Sequence, residues 1–158
     1  MNKMTDHKIK ILYVDDEENN LFSFKATFRL KYQIFTAING TKATQILDEN
    51  PDIEIVFTDQ RMPEMTGVEF LESILEKHPD PIRILLTGYA DLSASIDAVN
   101  RGKIFHYLSK PWNEEELHMA IERAYAVFKE RKEEKELNKK LIHTADQMEF
   151  MLRQKLLS

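Results

Sequence analysis

Cysteine is missing from this chain altogether. Disulfides, thiolate nucleophiles and zinc–thiolate sites are excluded together. Glycine is nearly as scarce, with only Gly40, Gly67, Gly88 and Gly102. Their scatter makes neither a G-x-G-x-x-G turn nor a P-loop, which argues against backbone cradling of a nucleotide. No apolar run approaches the roughly 20 residues a membrane span requires. Met1 to Lys8 is polar and lacks the apolar centre of a signal peptide. Positive charge is not in excess either: 22 lysines and arginines face 27 acids, a formal net charge of −5. Non-specific nucleic-acid binding is therefore not favoured. The expectation is a cytoplasmic protein with no direct contact to nucleic acid or membrane.

What is present is sufficient to fold. At 158 residues, 42% of them hydrophobic and 31% charged, the chain can form one cored domain with an appendage. Its organising stretch is Ile53-Glu54-Ile55-Val56-Phe57-Thr58-Asp59, followed by Gln60-Arg61-Met62-Pro63. A short β-branched and aromatic run between helical patterns reads as a buried parallel strand. Asp59 ends that run, where an open α/β sheet places its ligand crevice. Taken alone, Asp59 also fits a plain turn residue.

Four further runs have the same character. Lys8 to Val14 leads into Asp15-Asp16-Glu17-Glu18, and Tyr32 to Ala37 is short and apolar. Ile82 to Leu86 ends in Thr87, and Lys103 to Ser109 leads into Lys110-Pro111-Trp112. Helical spacing separates them. Leu21, Phe22, Phe24, Lys25 and Phe28 suggest a first helix, and Ala43, Ile46 and Leu47 a second. Thr66 with Glu69 forms a capping box before a third, with Val68, Phe70, Leu71, Ile74 and Leu75. Asp91 caps a fourth that Gly102 stops. A fifth begins near Asn113, with Leu117, Ala120, Ile121 and Ala124 inward.

Five strands alternating with five helices, joined by right-handed crossovers, predict a flavodoxin-like, doubly wound parallel sheet in the order 2-1-3-4-5. In that order Asp15, Asp16, Asp59, Thr87 and Lys110 meet at one rim. Three carboxylates at close range repel by roughly 1 kcal/mol per pair at 4 Å in water, and about 4 at an effective dielectric of 20. A hard, all-oxygen site of that kind suits Mg²⁺. The five histidines, His7, His78, His106, His118 and His143, show no ligand spacing and read as surface or edge residues. Carboxylate, metal, lysine and hydroxyl together are equipment for phosphoryl transfer.

Val14-Asp15-Asp16, Thr58-Asp59-Gln60-Arg61-Met62-Pro63 with Gly67, Leu86-Thr87-Gly88 and Tyr107-Leu108-Ser109-Lys110-Pro111 occur in that order. The set resembles the receiver domains of two-component response regulators, over about Lys8 to Phe128. The resemblance implies that Asp59 takes a phosphoryl group from the phosphohistidine of a sensor histidine kinase or phosphotransfer protein. It also implies Mg²⁺ on Asp16, Asp59 and the backbone carbonyl of Arg61, with Asp15 reaching the ion through water. Lys110 would hold the phosphoryl group, the Lys110–Pro111 bond would be cis, and Thr87 and Tyr107 would form the conformational switch. Tyr107 also fits an ordinary strand tyrosine. Arg61 and Gly88 are not fixed by the family pattern. Arg61 would shield the phosphoryl group from water or pair with a nearby acid, and Gly88 would leave an open approach.

The organisation expected is a receiver domain at 8–128 and a charged helical extension or linker at 129–158. Lys129 to Lys140 is nearly all charge, with i,i+4 pairs such as Glu136 and Lys140. Leu137, Leu141, Ala145, Met148, Met151, Leu152 and Leu156 then restore an apolar stripe. Asn138, Thr144 and Lys155 interrupt any single heptad, so a homodimeric coiled coil and a helix folded back on its own domain both stay open. The remaining length holds no DNA-binding module. Either the chain acts through contacts, or a catalytic output domain follows in a longer protein. A haloacid-dehalogenase-like phosphatase is the main rival, but it wants a second aspartate where Arg61 stands.

Overall fold

The computed structural model describes residues 7–88 and 103–157. The helix expected between Asp91 and Gly102 lies outside them. Five strands, β1 (Lys10–Val14), β2 (Gln33–Ala37), β3 (Ile55–Asp59), β4 (Ile82–Thr87) and β5 (His106–Ser109), form one sheet ordered β2-β1-β3-β4-β5. Every neighbouring pair is parallel. Around it stand α1 (Glu18–Phe28), α2 (Gly40–Glu49), α3 (Gly67–Ser73) and α4 (Glu114–Leu157). This is the flavodoxin-like order expected from the sequence, extended by a long C-terminal helix.

Period-two alternation divides the strands between two cores. Ile11, Tyr13, Ile55 and Phe57 face α1 and α4, packing with Phe24, Phe28, Leu117 and Ile121. Leu12, Val14 and Val56 face the other way, toward Ala43, Leu47, Phe70 and Leu71 of α2 and α3. Burial on both faces explains why β1, β3 and β4 read as largely apolar runs instead of alternating ones. The first core is aromatic at its centre: Phe24 stacks on Tyr13 at 4.3 Å and meets Phe57 and Trp112 at 5.5 and 6.1 Å. Such contacts add about 0.5–1.5 kcal/mol each beyond burial.

Several expected boundaries move. β5 begins at His106 because Lys103 takes a left-handed backbone, φ 49°, which a strand cannot contain. β3 begins at Ile55 because Ile53 closes a turn onto the Asn50 carbonyl. On α1 only Phe24 and Phe28 are buried, and Phe22 points to solvent at 76% exposure. α2 is capped by Asn39, whose side chain accepts the Lys42 N–H. The Thr66–Glu69 capping box forms as read.

His78 corrects the assignment of all histidines to the surface. It is buried, with Nε2 2.7 Å from Asp48 Oδ1. Beside it Arg83, buried on β4, donates to the carbonyls of His78 at 2.6 Å and Pro81 at 3.1 Å. Burial pushes the Arg83 guanidinium down to about 10, with Arg131 adding to the shift. The loop before β4 thus closes around a cation instead of an apolar residue. Hydrogen bonds from His78 and then Lys77 hold the Asp48 carboxyl below the usual carboxylate range. A depressed carboxylate stabilises the fold above its unfolded value, and that contribution fades as pH falls through the folded one. Asp48→Asn is expected to be less stable than wild type at neutral pH, with the gap closing below the ordinary carboxylate range. Urea unfolding along a pH series measures it, and a gap constant with pH contradicts the assignment.

Candidate functional site

β1 and β3 run side by side, so the residues that end them come together. Carboxylate oxygens of Asp15, Asp16 and Asp59 all lie within 4.8 Å of one another. Lys110, directly after β5, is delivered to the same place by a backbone bond from its N–H to the Thr87 carbonyl at 3.0 Å. Its Nζ lies 3.1 Å from Asp59 Oδ1 and 3.3 Å from Asp15 Oδ2. The Lys110–Pro111 peptide is cis.

The three acids are not equivalent. Asp15 is fully buried and saturated with donors: the Tyr13 hydroxyl at 3.0 Å, the Glu17 N–H at 3.0 Å, the Asn20 amide at 3.1 Å, and Lys110. Asp59 is mostly buried, and Lys110 is its ion-pair partner. Asp16 is half-buried at the opening. Tyr13 and Asn20 are supports that the sequence reading passed over. The signal for Tyr13 was there, since Tyr13 and Asp15 are two apart on a strand and share a face.

Burial pushes the Asp59 carboxyl above the usual carboxylate range, with Lys110 pulling back and Asp15 adding repulsion. For Lys110 burial opposes the charge, but Asp59 and Asp15 outweigh it and hold the ammonium above its ordinary value. The site therefore has an excess of crowded negative charge that one lysine leaves incompletely neutralised. Its donors are carboxylate oxygens only, a set that fits a hard divalent cation such as Mg²⁺ and no soft metal.

The other expected residues are distributed around this cluster. Thr87 ends β4, is buried, and directs its hydroxyl to the Gly88 carbonyl at 3.3 Å. Among the described residues, a side chain at Gly88 would meet nothing within 4 Å. Tyr107 is turned outward, 48% exposed and stacked on His106. Arg61 is exposed on the loop after β3. That loop is pinned by Gln60: its N–H donates to the Leu86 carbonyl, its own carbonyl accepts Gly67 N–H, and its side chain accepts Val68 N–H.

A sequence profile of the response regulator receiver domain matches residues 11–122. The chain belongs to that family. Receiver domains are signalling domains of two-component systems, and curated relatives agree. The hydrogenase transcriptional regulatory protein HoxA of Cupriavidus necator is 35% identical over 109 residues, covering 69% of this chain and 22% of that protein. The regulatory protein AtoC of Escherichia coli is 33% identical over 134 residues, covering 84% of this chain and 28% of that protein. The chain thus spans about a quarter of the length of these relatives. Among solved structures, a receiver domain from Clostridium thermocellum superposes with a TM-score of 0.71 at 35% identity, covering 76% of this chain and 96% of its own. The receiver domain of an HD domain-containing protein from Pseudomonas fluorescens gives 0.72 at 33% identity, covering 78% and 99%.

Gly67 has a local physical reason in this receiver domain. A Cβ there would lie 2.3 Å from the Asp59 carbonyl oxygen. Gly67→Ala must therefore displace the backbone that carries Asp59, at about 1–3 kcal/mol. Urea unfolding should register that loss; a stability within a few tenths of wild type would mean that the loop yields freely.

Proposed function

We propose that Asp59 accepts a phosphoryl group from the phosphohistidine of a sensor histidine kinase or phosphotransfer protein. The observation that supports this most directly is the placement of Asp59 between two further carboxylates and the Lys110 ammonium. As an Asp59 oxygen attacks phosphorus in line, the new P–O bond forms while the P–N bond to the donor imidazole breaks. Lys110 is close enough to Asp59 to pair with a phosphoryl oxygen once the group is transferred. Asp16, Asp59 and the Arg61 carbonyl would hold Mg²⁺, with Asp15 acting through water. The chemistry a bound Mg²⁺ supplies is neutralisation of the phosphoryl oxygens.

Thr87 then has a new acceptor. Turning its hydroxyl from the Gly88 carbonyl to the phosphoryl group exchanges a long neutral bond for a charge-assisted one, worth roughly 1.5–3 kcal/mol. Since about 1.4 kcal/mol changes a population ratio tenfold, that bond suffices to bias a two-state rim. Tyr107, outward here, is the residue that would move into the vacated space. Arg61 would cover the phosphoryl group and slow its hydrolysis.

The signal passes to an output carried on the same polypeptide or on a partner, through a domain at 8–128 and an extension at 129–158. HoxA and AtoC are regulatory proteins, and the Pseudomonas receiver belongs to an HD-domain protein. The Asp-Gln-Arg-Met-Pro, Thr-Gly-Tyr and Lys-Pro-Trp sequences look like those of receivers attached to catalytic outputs, and a cytoplasmic location belongs to the same reading. Self-association through α4 is the remaining part of this reading.

Treatment with acetyl phosphate and Mg²⁺ is expected to add one phosphoryl mass to the wild-type chain, and none with chelator or in Asp59→Asn. Equal uptake by Asp59→Asn in intact-mass spectrometry contradicts the assignment. Arg61→Ala is expected to shorten the phosphorylated state severalfold, and an unchanged lifetime sinks the shielding role.

A further inference from the structure

α4 runs unbroken for 44 residues, about 66 Å. Its first turns bury Leu117, Ala120, Ile121 and Ala124 against the sheet, whereas every residue from Lys129 to Leu157 is exposed. The helix does not fold back on its own domain. At about 100° per residue, the apolar stripe of the far half lies roughly 100° around the axis from the side that grips the sheet. The domain that carries the helix therefore cannot cover that stripe.

A heptad fails to describe the stripe, because it places Thr144 and Lys155 in the seam. An eleven-residue repeat describes it without a break. Leu137, Leu141 and Ala145 are matched eleven positions on by Met148, Leu152 and Leu156, with spacings of four, four and three. Thr144, Lys155 and Asn138 then fall on the flanks. Eleven residues make just over three full turns of an α-helix, so two nearly straight helices, or a slight right-handed supercoil, keep the stripe in contact. One repeat earlier the same positions are Ala126, Glu130 and Glu134. Acids in the seam end the apolar contact at Leu137.

We infer that residues 137–156 of α4 pair with the same segment of a second copy of this chain, in an eleven-residue register. This rests on the self-association included in the proposed function and specifies its surface. The large side chains of the stripe are 56–85% exposed. At roughly 100 Å² of apolar surface each, the two copies together cover about 1,000 Å², near the lower bound of a specific interface. A stripe that is apolar along one line, with mainly polar flanks, matches its own copy by two-fold symmetry. The modest area makes the association concentration-dependent.

Sedimentation of the full chain across the micromolar range tests this, with substitutions chosen at exposed positions that the fold does not need. Wild type is expected to pass from monomer to dimer. Leu152→Lys, in the proposed seam, should weaken association about tenfold or more, and Met151→Lys, on the flank, by less than about threefold. A wild-type chain that stays monomeric overturns the pairing, and a larger effect of Met151→Lys than of Leu152→Lys overturns the register. Leu152→Lys should still take up phosphoryl at Asp59, which separates this inference from the phosphoacceptor role.

Discussion

Crowded negative charge at the carboxyl edge of the sheet is the constraint around which this receiver domain is built. Three carboxylates whose oxygens lie within 4.8 Å of one another would by themselves push the ends of β1 and β3 apart. The protein opposes this in two ways. Asp15 is spread over Tyr13, Glu17, Asn20 and Lys110, so its charge is held by donors on several elements. Lys110 bridges Asp15 and Asp59, and its main chain is tied to Thr87. The part left unneutralised is a negative potential that suits a hard divalent cation.

The opposite edge of the sheet is arranged differently. Charges there are paired for structure: Glu54 accepts from the Lys10 backbone and meets His7, Asp52 pairs with Lys10, and Asp48 with His78. Arg83 closes the loop before β4 by capping carbonyls. α4 leaves the domain near this edge, where Lys135 pairs with Asp80. Between the acidic cluster at one edge and the departure of the helix at the other lies the core of Tyr13, Phe24, Phe57 and Trp112.

The fold was legible because buried parallel strands have a plain signature, apolar runs of fixed length that end in a polar residue. That same ending located Asp15, Asp59, Thr87 and Lys110. Elements set by single backbone torsions were not legible, as at Lys103, where nothing in an apolar run announces a left-handed residue. Buried charges were missed for a related reason. His78 and Arg83 are polar by type, and only the closed loop around them makes burial favourable. Phe22 failed in the opposite sense, since apolar spacing on α1 extends past the face that the sheet covers. The helix stripe was visible in sequence, but whether its own domain covers it depends on the side from which the first turns of α4 grip the sheet.

The thermal midpoint of unfolding as a function of Mg²⁺ concentration addresses the carboxylate cluster most directly. Any ion that binds the folded chain alone raises that midpoint by mass action. Wild type should rise progressively with Mg²⁺, while Asp16→Asn should start higher in metal-free buffer, because one repulsion is gone, and then stay nearly flat. Equal rises in both proteins, or no rise in wild type, would mean that the three acids do not form one cation site.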